Sequence, residues 1–256
     1  MIHETAIVHE GARIDESVDV GPYCVIGDQV TIGEGTVLGP HVVIDGWTDI
    51  GCRCRIFQYA SVGTVPQDLK YDGEETRLTI GDEVIIREFA TLNRGTAGGG
   101  GVTRVGNKNL LMAYCHVAHD CVIGDCVIMA NNASLGGHVT VEDYAILGGF
   151  VGVHQFVRIG SYAMIAAMSG VPLDIPPYAI ASGQRTKLYG LNVTGLKRHG
   201  FDRDRIRAIK KAYKILFQSG SILEDALGQV ESELADSKDA IYMASFIRNS
   251  ERGVCR

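Results

Sequence analysis

Residues 105–171, cut every six, read VGNKNL LMAYCH VAHDCV IGDCVI MANNAS LGGHVT VEDYAI LGGFVG VHQFVR IGSYAM IAAMSG V. Every block opens on Val, Leu, Ile or Met. Two residues before successive openings stand Cys115, Cys121, Val127, Ala133, Val139, Ala145 and Val151, all small or β-branched. A helix repeats every 3.6 residues and an alternating strand every 2, so a period of six fits neither. It fits a short strand followed by a corner. Three such units close a triangular coil of 18 residues with the aliphatic side chains inside. Stacked coils then bury a continuous ladder that no single coil could bury alone.

The same ladder runs upstream from Ile2 through Val8, Ile14, Val20, Ile26, Ile32, Leu38, Ile44, Ile50 and Ile56 to Val62, and resumes at Ile80, Ile86 and Leu92. This pattern resembles the hexapeptide-repeat family of left-handed parallel β-helices. The left-handed sense comes from the resemblance, because the usual crossover rule favours the opposite hand. Two stretches interrupt the ladder. Residues 64–79 are polar, yet Val62 to Ile80 is 18 residues, so the next coil stays in phase. Residues 94–104 (RGTAGGGGVTR) shift the phase, since Leu92 to Val105 is 13. Both read as loops thrown out from a corner, where function often resides. The Gly-rich loop lacks a Walker lysine and reads as a flexible excursion.

After Val171 the hexads stop, and Pro172, Pro176 and Pro177 mark the exit. The remainder reads as helical. Asp202 is placed to cap one helix, Ser221-x-x-Glu224 has the form of a capping box for a second, and a third is expected from about Ser237 to Arg252. The expected architecture is mainly β: a β-helix over 1–190 and an α-helical domain over 191–256.

Composition narrows the function classes. The net charge of −6 gives no reason to expect nucleic acid as a partner. No apolar run approaches the roughly 18 residues of a membrane span, and the N-terminus has no secretory pattern, so a cytoplasmic location is expected. The seven cysteines form no zinc-ribbon pairs. Cys24, Cys54, Cys115 and Cys121 share one repeat position and are expected to be free core thiols. No metal site is anticipated from them. From Lys197 to Lys214 there are eight basic residues against Asp202 and Asp204, eight minus two or +6, in a chain whose total is −6. Such a patch would steer an acidic partner.

The 18-residue period also stacks polar residues. The blocks VAHDCV, LGGHVT and VHQFVR lie on one face of adjacent coils, roughly 4.8 Å apart. His119, Gly137 and Gln155 form a column, flanked by Asp120, His138 and His154. A neutral histidine there can take a proton from a hydroxyl as it attacks a thioester, with Asp120 fixing its tautomer. The Gly137 N–H can face the developing oxyanion, because glycine allows close approach to the backbone.

The stretch LLMAYCHVAHDCVIGDCVIMANNASLGGHVTVEDYAILGG, with VHQF, QDLKY, RGT and YGLNVTGLKRHGF, resembles the acyl-[acyl-carrier-protein]–UDP-N-acetylglucosamine O-acyltransferases over essentially the whole chain. That resemblance implies transfer of a 3-hydroxyacyl chain from acyl carrier protein to the 3-position of the UDP-amino-sugar, the first step of lipid A synthesis. It implies a homotrimer with sites between subunits and no cofactor beyond the donor's own phosphopantetheine. It gives His119 as general base, Asp120 as its partner and Gly137 as oxyanion donor. It adds Asp68, Lys70, His116, His138, His154, Gln155, Asn192 and Arg198 as substrate contacts, and Ala167 with Met168 at the end of the acyl groove. Thr194 and His199 depart from the family's usual glutamate and arginine, Asn93 from histidine, and Ala166-Ala167-Met168 from Gly-Gly-Cys. Two rivals share the coil. A related N-acyltransferase carries an extra N-terminal uridine-binding domain, for which hexads beginning at Ile2 leave no room. A zinc carbonic anhydrase would use three histidines between subunits but has no need of QDLKY or the basic segment.

Overall fold

The computed structural model describes residues 1–256. Strands of two to five residues assemble into three sheets of nine, eight and ten strands, and neighbouring strands are three apart in the chain except at the C-terminal end of the ten-stranded sheet. That order is a chain winding around a triangular prism, a left-handed parallel β-helix. On the face that matters here Leu92, Val117, Leu135, Val153 and Val171 pair in register from coil to coil. Their side chains point inward and join a single core of 44 residues. Cys24, Cys54, Cys115 and Cys121 are fully buried in it as free thiols.

The corners explain how so tight a turn is tolerated. Asp120, His138 and Phe156, stacked at one corner, all hold φ near +60°, a region that non-glycine residues seldom occupy. The conformation aims each backbone N–H at the coil before. His138 N–H donates to the His119 carbonyl, and Phe156 N–H to that of Gly137, both at 3.0 Å. A satisfied backbone group offsets the local steric cost. Another corner carries a ladder of rings, Tyr23, His41, Tyr59, Phe89 and Tyr114, stacked at 4.9–5.2 Å.

The first excursion leaves after Ser61–Thr64 and returns as Arg77–Ile80, which pairs with Trp47–Ile50 on one side and Val102–Val105 on the other, so the phase is kept. The second leaves after Thr91–Asn93 and turns through a short 3-10 segment, Ala97–Gly99. It is not the free excursion its glycines suggested. Gly95 N–H donates to the Arg77 carbonyl at 3.1 Å, Arg77 N–H to Gly101 at 2.8 Å, and Gly101 N–H to Thr96 at 2.8 Å. The loop is folded flat against the coil.

At the C-terminal end the coil outlasts its hexads. Ile175 and Ala181 still enter the core. Ala179–Ser182 pairs in parallel with Met164–Ile165 and antiparallel with Lys187–Leu191, which closes the stack. Four helices follow: α1 (Val193–Arg198), α2 (Arg203–Gln218), α3 (Leu223–Glu233) and α4 (Lys238–Arg248). They bury a second core of 17 residues around Leu196, Ile209, Val230 and Ala244. Asp202 caps α2 as expected, accepting from Asp204 and Arg205 N–H. The Ser221 capping box does not form: Ile222 occupies the cap of α3, and Ser221 N–H turns back to Ser219 Oγ. α4 stops at Arg248, short of the expected Arg252, and α1 was not anticipated. Nor is the helical part wholly separate, since Val254 bridges to Asp174 and Cys255 is buried in the β-helix core. No helix is long and apolar enough to cross a membrane.

Candidate active site

Strand His116–Val117 ends at the corner Ala118-His119-Asp120, and the corner geometry decides where the two functional side chains go. Asp120 turns inward beneath the second loop, with its side chain 1 % exposed. His119 leans outward over the next coil and stays 15 % exposed. His119 Nδ1 lies 2.8 Å from Asp120 Oδ2. An ionised carboxylate can only accept, so Nδ1 carries the proton and Nε2 is left as the basic atom. The ring lies flat over Gly137: a Cβ built there would stand 2.7 Å from Nε2 and 2.6 Å from Cε1. Only glycine fits. The Gly137 N–H makes no hydrogen bond within the chain.

This pair opens into a groove with a cavity volume of about 1380 Å³, which runs from His116 and His119 along Ser134, Gly152 and Gly170 toward Arg185 and Lys187. Its floor follows from register. The outward residues paired with His116 are Ser134, Gly152 and Gly170, so side chains shrink along the strands and leave room. His116 is held by Thr91, whose Oγ1 lies 2.7 Å from Nδ1. Burial, and next the neighbouring His119, lower the His116 pKa below its ordinary value, which keeps that ring neutral at neutral pH. His154 and Gln155 form the rim, joined by a 3.1 Å contact between His154 Nδ1 and the Gln155 carbonyl. His138 stands behind the pair, 3.9 Å from Asp120 Oδ2 and stacked on Phe156 at 4.4 Å.

The other expected residues lie apart from this groove within one chain. Asp68 and Lys70 sit on the first loop, where Asp68 Oδ1 accepts from Lys70 N–H at 3.0 Å. From that loop Gln67 is the residue that reaches the groove. Asn192 is buried, and both ends of its amide are engaged: Oδ1 caps α1 at Gly195 N–H, and Nδ2 donates to the Tyr162 carbonyl, each at 3.0 Å. Arg198 is exposed on the last turn of α1. His199 packs edge-on against Tyr144 and Tyr162. Asn93 is buried and donates to Thr64 Oγ1 and the Val65 carbonyl. Ala167 and Met168 are exposed at a different corner.

Sequence reasoning missed Thr96 and Thr103. Thr96 donates to both oxygens of Asp120, from its N–H at 2.9 Å and its hydroxyl at 2.7 Å. Thr103 Oγ1 accepts the Asp120 N–H at 2.8 Å. The available signal was the phase shift itself, which drops the second loop onto the coil that carries VAHD.

His119, Asp120 and His138 could also converge on a cation, their ligand atoms all lying within 4.8 Å. Asp120, however, already accepts three hydrogen bonds from two residues. That arrangement fixes the imidazole with Nε2 toward the open groove, where it can take a proton from a bound group. The coil defines the class: residues 11–46 and 103–137 match the bacterial transferase hexapeptide model. Residues 174–255 match the second domain of UDP-N-acetylglucosamine O-acyltransferase. The chain belongs to the acyl-[acyl-carrier-protein]–UDP-N-acetylglucosamine O-acyltransferase family. It is 52% identical over 255 residues to that enzyme of Thermodesulfovibrio yellowstonii, covering 100% of this chain and 99% of the relative. The solved Francisella novicida UDP-N-acetylglucosamine acyltransferase superposes with a TM-score of 0.98 at 43% identity, covering 100% of this chain and 94% of that one. The Moraxella catarrhalis UDP-N-acetylglucosamine O-acyltransferase superposes at 0.97 with 44% identity, over 100% and 99%.

Proposed function

We propose that this protein transfers a 3-hydroxyacyl chain from acyl carrier protein to the 3-position of UDP-N-acetylglucosamine, or of its 3-amino analogue, with His119 as general base. The observation that carries the reading is the His119–Asp120 contact at 2.8 Å above a glycine whose missing side chain leaves room for the imidazole. His119 Nε2 takes the proton of the sugar hydroxyl as its oxygen attacks the thioester carbonyl. Gly137 N–H stabilises the oxyanion, a contribution of about 10²–10³ in rate for a single donor. The attack makes the new C–O bond; the intermediate then collapses by re-forming the carbonyl and cleaving the C–S bond. The proton on His119 passes to the departing thiolate of the phosphopantetheine arm. No further cofactor enters this balance.

The exposed cations of α2 suit an acidic carrier protein and would raise its encounter rate. His154 and Gln155 suit the sugar, while Asp68, Lys70, Arg198, Ala167 and Met168 are assigned to contacts completed by neighbouring subunits; Asn192, with its amide engaged at both ends, serves as the α1 cap. The groove is open along one side, so two substrates need a further wall. A homotrimer supplies it, and sedimentation of the active species tests this. Cytoplasm, where both substrates of this reaction class would meet, is the proposed compartment. The decisive assay offers both UDP-sugars with a set of acyl carrier proteins to wild type and to His119→Ala. The variant is expected to lose at least about 100-fold in turnover while folding normally. Near-normal turnover removes His119 as the base.

A further inference from the structure

The second loop does more than bridge two coils. Its glycines make room for Asp120: a Cβ on Gly95 would stand 2.8 Å from Asp120 Oδ1, and one on Gly99 would overlap the carboxylate itself. Between these glycines Thr96 grips the carboxylate with two donors from one residue. The Thr96 hydroxyl reaches the same oxygen, Oδ2, that receives His119 Nδ1–H. Thr103 holds the backbone of Asp120 from behind, at a corner where φ is +59°. Thr96 and Thr103 are themselves 7 % and 0 % exposed, so none of these bonds competes with water.

We infer that Thr96 is a positioning residue of the acyl transfer, acting on His119 through Asp120 and touching neither substrate. The inference rests on the His119 reading. A carboxylate on a flexible side chain can rotate and offer either oxygen. With Oδ1 held by the Thr96 N–H and Oδ2 by its hydroxyl, the carboxylate plane is set, and one lone pair of Oδ2 points at Nδ1. The imidazole is then fixed in the tautomer and orientation that present Nε2 to the groove. Small misplacements of a catalytic group are expensive, and a hydrogen bond to a charged group is worth about tenfold to a hundredfold.

The test is a double-mutant cycle on the full-length enzyme with acyl carrier protein donor and UDP-sugar. Thr96→Val deletes the hydroxyl and keeps the N–H. It is expected to lower kcat about 10–100-fold with both KM values within about twofold. Thr96→Ser restores the hydroxyl and is expected within about threefold of wild type. In a His119→Ala background, Thr96→Val should lower the residual rate no further, because the residue acts only through the base. A merely structural role would reduce the rate equally in both backgrounds, would leave Thr96→Ser impaired, and would overturn the inference. So would a folded Thr96→Val with wild-type kcat. Should Thr96→Val fail to fold, Thr96→Ala gives the same comparison. If His119→Ala alone retains full activity, the base assignment fails, an outcome separate from any result at Thr96.

Discussion

Gly137→Ala puts the geometry of the site to its sharpest test. The added methyl would lie 2.6 Å from His119 Cε1 and 2.7 Å from Nε2. Carbon atoms settle at about 3.5–4.0 Å, so the ring must retreat by about 1 Å. Its only free direction is outward, away from Asp120, which stretches the 2.8 Å Nδ1 contact beyond hydrogen-bonding range. The methyl also crowds the space in front of the residue 137 N–H. A 1 Å displacement of a reacting group costs about 100-fold, or ~2.7 kcal/mol in the barrier. The expected result is a fall of about 100-fold or more in kcat, with thermal stability within a few degrees of wild type because the displaced ring moves into solvent. Gly152→Ala is the companion. A Cβ there meets nothing within 4 Å, so it narrows the groove floor without touching His119 and should raise KM while sparing kcat. Steady-state transfer followed by mass spectrometry of the acylated sugar separates the two. A Gly137→Ala enzyme within fivefold of wild-type kcat would refute the placement of the ring.

The thiols offer a second check. Cys52 and Cys126 are partly exposed and should react with a thiol reagent in the native protein, whereas Cys115 and Cys121 should react only on unfolding. Burial pushes both of those pKa values up to about 12 from 9.0, so the folded state holds its protons longer than the unfolded one. Their contribution to stability is full below pH 9.0 and is lost as pH rises toward about 12; a denaturation midpoint that does not fall across that window would contradict it. Asn192→Ala removes the α1 cap and should cost about 1 kcal/mol, read as a drop in melting temperature. An unchanged melting temperature would make Asn192 free for other work. Ala167→Gly is expected to move the donor preference toward a longer acyl chain and Ala167→Met toward a shorter one, as each methylene of groove is worth about 0.8 kcal/mol. Competition between carrier proteins of different acyl length reads the shift, and no shift in either variant removes Ala167 from the groove end.

The ladder was legible because burial is periodic: every sixth side chain is inside, and one misplaced polar residue would have broken the count. The His119 column was legible for the same reason, since an 18-residue coil converts spacing into stacking. What could not be seen was anything set by the off-phase loop. Thr96 is 24 residues from Asp120 rather than 18, and its glycines advertise freedom while serving close packing. The capping box at Ser221 failed because α3 starts one residue later, with Ile222 at the cap position. Residues 172–191 lost their period because the last coil is shortened, with Ile175 and Ala181 pairing 16 residues after Ile159 and Ile165, and an antiparallel return then closes the stack.

The winding also orders events in time. Most coil contacts join residues about 18 apart, so a chain growing from its N-terminus can lay each turn on the last as it emerges, without waiting for distant partners. The site is assembled along that same line. Thr96 precedes Asp120 in the chain, and Asp120 precedes the coil bearing Gly137 that lies beneath His119. Residues 254–255 come back to Asp174 and add Val254 and Cys255 to the groove wall. The base thus belongs to coils in the middle of the chain, while part of the groove wall comes from a segment more than a hundred residues further on.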